Sequence, residues 1–544
     1  MEIAFPFSLR FNKILLLMGN VFGGIILIVL QNASVLPLSL AHFLFFSFVG
    51  FLCALYRPGW VFLLFIGMLP LEIIHLATPF AGLDVRPYQW LAVLLYLALI
   101  LRFLTGRLPF KLFRPIWCDG LLLLLLVGSA LALLNAPVFS VTLKQTLVVC
   151  SFVGLYFLGR IFFRTLTDVR QGLPFFLGSS VVVFGYALWQ NIRSLRGEQS
   201  YTVMAGRPNS TFSEADWLGF FTLVVLALIC ALLLFLIKKT WTRASFLISA
   251  RTVLTEWSFW GLFVLQSFTW LTLLVAVSRS AWLGAAVVCV LSFGLFIFYH
   301  GWVERRAFFP AGVFFASTTA CTFFITFSII TIFHLTPFAL FERAASTGGL
   351  QKITVSCRGS LDWVLPQKIR TVEELPASCR FIRLEEITAE RALGNVVEEI
   401  YRADPNISVR QEIYIKTLTM IREHPVWGIG WGSAAVFLGT DERGAGLNAS
   451  NIFLEVWLSS GLLGLLSFLW LLASIILAAF KGYIVPNEEG ERIFALFLLL
   501  AFLGALVFNM FNTGLLLGFF FLLLALGVLN IERVGVSFKH SKTV

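Results

Sequence analysis

The sequence predicts an all-α, polytopic transmembrane helical bundle of 12–14 spans. Both termini are expected to be cytoplasmic, with one large extracytoplasmic loop subdomain. Composition, run length and charge placement predict it. The chain is 59% hydrophobic and 13% charged, more apolar surface than a soluble fold can hide. Apolar runs of about 20 residues, enough to cross about 30 Å of hydrocarbon, recur along nearly the whole chain. A membrane barrel would read as short alternating segments instead. The net charge of +11 follows from Lys and Arg gathered in alternate short loops, the pattern of cytoplasmic connections. That placement argues against a nucleic-acid partner.

The runs fall at residues 14–30, 35–56, 60–77, 87–104, 119–135, 139–162, 171–190, 216–237, 256–277, 280–299, 308–335, 451–479, 491–511 and 513–530. The first follows Arg10 and Lys13 and is as long as a span, so it reads as a retained helix and not a cleavable signal. With the N-terminus inside, the inner connections hold Arg57; Arg102, Arg107, Lys111 and Arg114; Arg164 and Arg170; Lys238, Lys239, Arg243 and Arg251; Arg305 and Arg306; Lys481 and Arg492. The tail adds Arg533, Lys539 and Lys542. The opposite loops 31–34 and 136–138 carry no charge, and 78–86 balances Asp84 with Arg86. A count of twelve follows if two runs are re-entrant or merged.

Four regions result: N-terminal spans 1–190; central spans 191–335, with a first outer loop and a break at Ser278-Arg279-Ser280; a large outer loop 336–450; and C-terminal spans with a basic tail, 451–544. Within the large loop, Arg343 to Asn406 is mixed and charged, as in a small soluble subdomain. Arg410 to Glu423 spaces Ile413, Ile415, Leu418, Met420 and Ile421 like an amphipathic helix at a membrane surface. Six of the eight cysteines lie in or beside spans, where they act as small apolar residues. Cys357 and Cys379 lie in the loop, where an oxidising compartment would let them pair. No CxxC or His/Cys cluster suggests a metal.

Three outer segments carry polar chemistry. One is Gly206-Arg207-Pro208-Asn209-Ser210-Thr211-Phe212. The second is Ser278-Arg279-Ser280. The third runs from Arg410 through His424-Pro425-Val426-Trp427-Gly428-Ile429-Gly430 to Ser450-Asn451-Ile452-Phe453-Leu454-Glu455 and Gly461-Leu462-Leu463-Gly464. A charge at membrane depth costs a few kcal/mol, so Arg279 is expected to face a wet cavity or an anion. Arg207 and Arg410 are on the same side, and three guanidinium forks suit a phosphate or diphosphate. The plainer reading makes Arg207 and Arg410 interface anchors. His424, beside Pro425, reads as a base or as a structural residue. Asn451 and Glu455 share one helix face. Glu455 is a base candidate or the partner of an arginine. Glu214 and Asp216 could accept a proton, although capping the next helix is the simpler role.

These residues, in this order and on one side, resemble the O-antigen ligase and polymerase superfamily of bacterial membrane glycosyltransferases over residues 190–470. The resemblance implies a glycan on an undecaprenyl pyrophosphate carrier and an acceptor glycan or glycolipid. It also implies a site at the outer face of the inner (plasma) membrane among membrane lipids, with room for other polysaccharide-assembly proteins. An acceptor hydroxyl attacks the anomeric carbon while Arg207, Arg279 and Arg410 stabilise the departing diphosphate. Asn209, Ser278, Ser280, His424, Ser450 and Asn451 would line the substrate. No cofactor or divalent metal is implied, and loop 31–38 has no carboxylate to hold one.

One departure stands out. Ligases of this family typically place His immediately before the residue equivalent to Asn451, whereas this chain has Ser450. Serine is no base near neutral pH without an activating partner, which leaves Glu455, Glu214 and His424 as substitutes. Ligase and polymerase both stay open. So do a transporter, which predicts inverted repeats that the halves do not display, and a non-catalytic binder of polysaccharide intermediates.

Overall fold

The computed structural model describes residues 10–541 apart from 79–83, 109–112, 205, 242–244, 304–308, 339, 346–349, 359–365, 370–373, 383–386, 404, 441–445 and 486–487. Lys111, Arg243, Arg305, Arg306 and Lys542 thus lie outside the described residues. The chain divides into two compact units, Met1–Pro337 with Met420–Val544, and Phe338–Thr419.

The first unit is helical: α1 (Arg10–Asn32), α2 (Leu40–Tyr56), α3 (Pro58–Met68), α4 (Pro87–Leu104), α5 (Trp117–Leu131), α6 (Phe139–Phe162), α7 (Leu166–Leu195), α8 (Ala215–Thr240), α9 (Phe246–Leu254), α10 (Trp257–Val275), α11 (Arg279–Phe298) and α12 (Phe309–Ile332). In the second unit lie α13 (Leu340–Ala345), β1 (Leu350–Cys357), β2 (Lys368–Ile369), β3 (Cys379–Ile382), α14 (Ile387–Ala392) and β4 (Val396–Ala403). Helix α15 (Pro405–Glu423) begins there and leads back to the bundle, which closes with α16 (Ala434–Leu438), α17 (Ile452–Ile484), α18 (Glu489–Asn509) and α19 (Gly518–Ser541). Among the described residues, twelve helices are long and apolar enough to cross a membrane. The protein is an all-α polytopic membrane protein with one small sheet.

Helices α2 and α3 are shorter, at 17 and 11 residues. The run 60–77 is not one helix, which corrects the sequence expectation. Helix α3 stops at Met68, because Pro70 removes a donor and disfavours helix at the residue before it. The chain nevertheless continues across. The Leu38 N–H donates to Leu76 O at 2.9 Å, so residue 76 reaches the level where α2 starts. Irregular backbone at membrane depth is tolerated only inside protein, and Leu69, Leu71, Glu72 and Ile74 are all buried. Their donors are met by neighbours: Glu72 N–H and Ile73 N–H both reach Thr211 O, at 2.9 and 3.0 Å.

Phenylalanine fills the core beneath one end of the bundle. Phe220 stacks on Phe508 at 4.8 Å, and Phe212 lies 5.4 Å from Phe221. The opposite end is held by charge. Arg160, fully buried, donates from Nε to Asp119 at 3.1 Å and from both terminal nitrogens to Glu532 at 3.0 and 2.6 Å. This clamps α5, α6 and α19 together, and Tyr156 donates to the same aspartate.

The second unit carries a four-stranded sheet in the order β2-β4-β1-β3. Strand β1 pairs antiparallel with β3 and β4, and β2 parallel with β4. Ile353, Val355 and Cys357 alternate inward along β1, as the two-residue period of a strand requires. Cys357 and Cys379 are cross-strand partners joined by a disulfide. Glu390 accepts from Ser356 Oγ, Arg380 and Asn395 at 2.6, 2.6 and 2.7 Å. These three donors hold its carboxyl down at about 2.

Candidate functional site

The loop between α7 and α8 is folded by its own polar groups. Asn209 takes the Val203 N–H on its amide oxygen and gives its amide hydrogens to Phe212 O. Ser210, at φ +52°, donates its N–H to Gln190 Oε1 at 2.7 Å and its hydroxyl to Val183 O at 2.6 Å. Asn209 and Ser210 are buried. The Asn209 amide thus shapes the loop itself. Thr211 ties the loop to the irregular crossing, its hydroxyl donating to Pro70 O at 2.6 Å.

Arg207 turns inward from this loop and is only 8% exposed. Its Nε donates to Ala276 O at 3.2 Å, and its Nη2 meets Asp216 at 3.2 Å. Arg207 is therefore not a lipid-facing anchor. It latches the loop onto the end of α10, two residues before Ser278. Asp216, in the first turn of α8, is its counter-ion. Glu214 sits at the N-cap of α8 but makes no side-chain capping bond.

The break that follows is strained. Val277 has φ +52°, an outlier for a β-branched residue, and such conformations cluster where the surrounding structure enforces them for function. Ser278 then begins α11, so Arg279 is its first residue, half-buried. Ser278 Oγ lies 3.4 Å from Ser280 Oγ. Gly219 of α8 allows this approach, since a Cβ there would come within 3.1 Å of Ser278. The N-terminus of α11 adds partial positive charge beside the Arg279 guanidinium.

The glycine motifs of the third segment fit into each other. Helix α17 is broken at Gly461, with φ +67° and ψ −171°, and the chain at 426–429 enters the break. Ile429 N–H donates to Leu458 O at 2.8 Å, and Leu462 N–H to Val426 O at 2.9 Å. A Cβ on Gly428 would lie 2.5 Å from Leu458 O. Downstream, Trp431 Nε1 donates to Ser129 Oγ at 2.8 Å and Ser433 shares a hydrogen bond with Thr142, seating the segment on α5 and α6. His424 is half-buried at the C-terminal end of α15, its N–H on Met420 O.

Asn451 caps α17, accepting from Phe453 N–H and Leu454 N–H at 2.9 and 3.2 Å. Ser450 takes φ +50°, its N–H on Asn448 Oδ1 at 2.9 Å. Buried Glu455 accepts the Ala449 N–H at 2.8 Å and the Ser459 hydroxyl at 3.4 Å. Its carboxylate thus holds the turn that presents Ser450 and Asn451. Arg410 lies on α15 within the second unit, half-buried.

Sequence reasoning missed the turn 510–517. Asn512 donates to Ser280 Oγ at 2.7 Å, and Asn451 donates to Met510 O at 3.0 Å. This turn therefore bridges the 278–280 break and the start of α17. Two asparagines and a glycine between closely spaced apolar runs were the available signal. Glu72 is a second such residue. Buried, it accepts from Tyr88 at 2.9 Å and from the Gly518 N–H at 3.0 Å, and it pairs with Arg86 at 2.7 Å. The loop at 203–216, the break at 276–280, the start of α17 and the turn at 510–517 thus meet at one end of the bundle. Among the described residues, no three His, Cys, Asp or Glu side chains converge as a metal set would.

Fold and site together define a multi-pass helical membrane protein whose polar loops converge at one end around buried arginine. Residues 261–469 match the family model described as O-antigen ligase, which supports the resemblance to the O-antigen ligase and polymerase superfamily. The matched segment includes Arg279, Arg410, Asn451, Glu455 and Gly461; Arg207 lies before it. No curated protein matches the chain.

Proposed function

We propose that the protein transfers or polymerises a glycan from an undecaprenyl pyrophosphate carrier onto an acceptor hydroxyl, without a metal, at the outer face of the bacterial inner membrane. The observation that carries this reading is the Arg207 bond to Ala276, which joins the first polar loop to the strained break before α11, inside the family-matched segment. The acceptor oxygen bonds to the anomeric carbon as the bond from that carbon to the diphosphate oxygen breaks. The electron pair leaves with the diphosphate, and the hydroxyl proton passes to a base.

Arg279, on the first turn of α11, neutralises the charge that develops on the leaving group, aided by the helix N-terminus. Arg207 positions that turn and is neutralised by Asp216 until a diphosphate competes for it. Arg410 is the third cation that the family resemblance assigns. Glu455 and Glu214 are the base candidates in place of the histidine that Ser450 replaces. The positive-inside pattern supports an outward-facing site, and a disulfide between Cys357 and Cys379 suits the same oxidising compartment.

The test is turnover of a defined polyprenyl-diphosphate glycan with candidate acceptors, with and without chelator. Full activity in chelator is expected, with Arg279→Ala reducing kcat by about 10²–10³, the scale of one lost oxyanion donor. Folded wild-type protein that never consumes the lipid-linked glycan overturns the reading.

A further inference from the structure

Between α3, α7, α8, α18 and α19 lies an apolar cavity of about 370 Å3. Ile66, Leu228, Phe494 and Leu523 are among its walls, and all are buried. It extends from Leu69 and Phe519, beneath the end that carries the Arg207 loop, to Arg170 and Gly490 at the opposite, basic end. Beyond the first end, Gly518 packs on Tyr88 and Leu69 and is bonded to Glu72. At the second, Arg170 is exposed and lies against Gly490 at the start of α18. It has no ion-pair partner among the described residues. Of the neighbouring acids, Glu489 pairs with Lys238 and Glu491 with Arg533, while Glu488 is exposed at the N-cap of α18.

Such a space suits neither water nor vacuum. Its lining offers water few polar partners, and an empty void forfeits the dispersion contacts of its walls. It has room for on the order of a dozen methylene-sized groups, taking each as about the volume of a water. The abundant apolar ligand at that depth is a bilayer acyl chain. A basic opening between membrane helices favours an anionic headgroup. We propose that the cavity holds one acyl chain of an anionic phospholipid from the leaflet at the basic end, with the Arg170 guanidinium on its phosphate. This site is separate from the glycan chemistry and faces the other leaflet.

The test is lipid analysis of the full chain purified in mild detergent and washed exhaustively. Wild type is expected to retain near-stoichiometric anionic phospholipid. Leu228→Trp, which fills the cavity, is expected to lower retention at least fivefold, and the milder Leu173→Phe covers a failure of the first variant to fold. Arg170→Gln is expected to keep a lipid but lose the preference for anionic over zwitterionic headgroups. Equal retention by wild type and the filled variants overturns the proposal, as does retention of a polyprenyl lipid in its place.

Discussion

Replacing Gly461 with alanine tests whether the chain at 426–429 is truly seated in the broken helix. The φ of +67° and ψ of −171° belong to a region that only glycine occupies without strain, which costs other residues about 1–3 kcal/mol. The new Cβ would lie 2.1 Å from Val426 O, so the inserted segment must retreat. That weakens the bonds from Ile429 to Leu458 and from Leu462 to Val426, about 0.5–1.5 kcal/mol each. The total is about 4 kcal/mol, several hundredfold in local opening at 1.4 kcal/mol per decade. Hydrogen–deuterium exchange on the full-length protein reads this directly. Peptides covering 426–432 and 458–465 should exchange at least a hundredfold faster than in wild type. Gly439→Ala is the control: Gly439 also has positive φ, +86°, but open space around its Cβ position, so its effect should stay near residues 438–447. Exchange of Gly461→Ala within threefold of wild type would refute the interlocking of the two glycine motifs.

Other perturbations read different parts of the chain. Arg160→Met leaves Asp119 buried and unpaired, and should destabilise the bundle by about 3–5 kcal/mol, visible as a lower thermal aggregation temperature. Asn512→Ala removes the bond to Ser280 Oγ and, at about 1 kcal/mol, should lower kcat roughly fivefold at unchanged KM; unchanged kcat would remove the turn from the site. Glu390 has its carboxyl depressed to about 2, so its stabilising effect is complete above the usual carboxylate range and is lost as pH falls from about 4 towards 2. Exchange protection of β1 and β3, corrected for intrinsic rate, should fall over that window in wild type. In Glu390→Gln that pH dependence should be absent.

The spans were legible where hydropathy and helix formation coincide. The runs at 87–104 and 139–162 match α4 and α6 residue for residue, because Pro87 and polar flanks punctuate them. The run at 60–77 misled because hydropathy measures partitioning into lipid and is blind to Pro70 and to backbone donors met by Thr211. The sheet at 350–403 escaped because β2 and β3 are only two and four residues long and β4 sets Glu398 beside Glu399, which breaks the alternation. The motif glycines could be read as tight turns, but not that Gly428 and Gly461 face each other. The pairing of Arg207 with Asp216, nine residues apart across a loop, follows no helical or strand period. Asn512 stands with Asn509 and Thr513 between two apolar runs, and only the fold brings it to Ser280.

The crossing at residues 69–77 bears on how the protein is made. An 11-residue helix followed by proline and a buried acid is a poor independent insert for the translocation machinery. Glu72 finds its last hydrogen-bond donor in Gly518, at the start of the final helix, which is synthesised more than four hundred residues later. Completion of the amino-terminal region therefore waits for the carboxy-terminal helix to arrive. In nascent chains halted before residue 518, a cysteine introduced at Ile74 should react with a water-soluble maleimide, and in the finished protein, where that position is buried, it should be shielded.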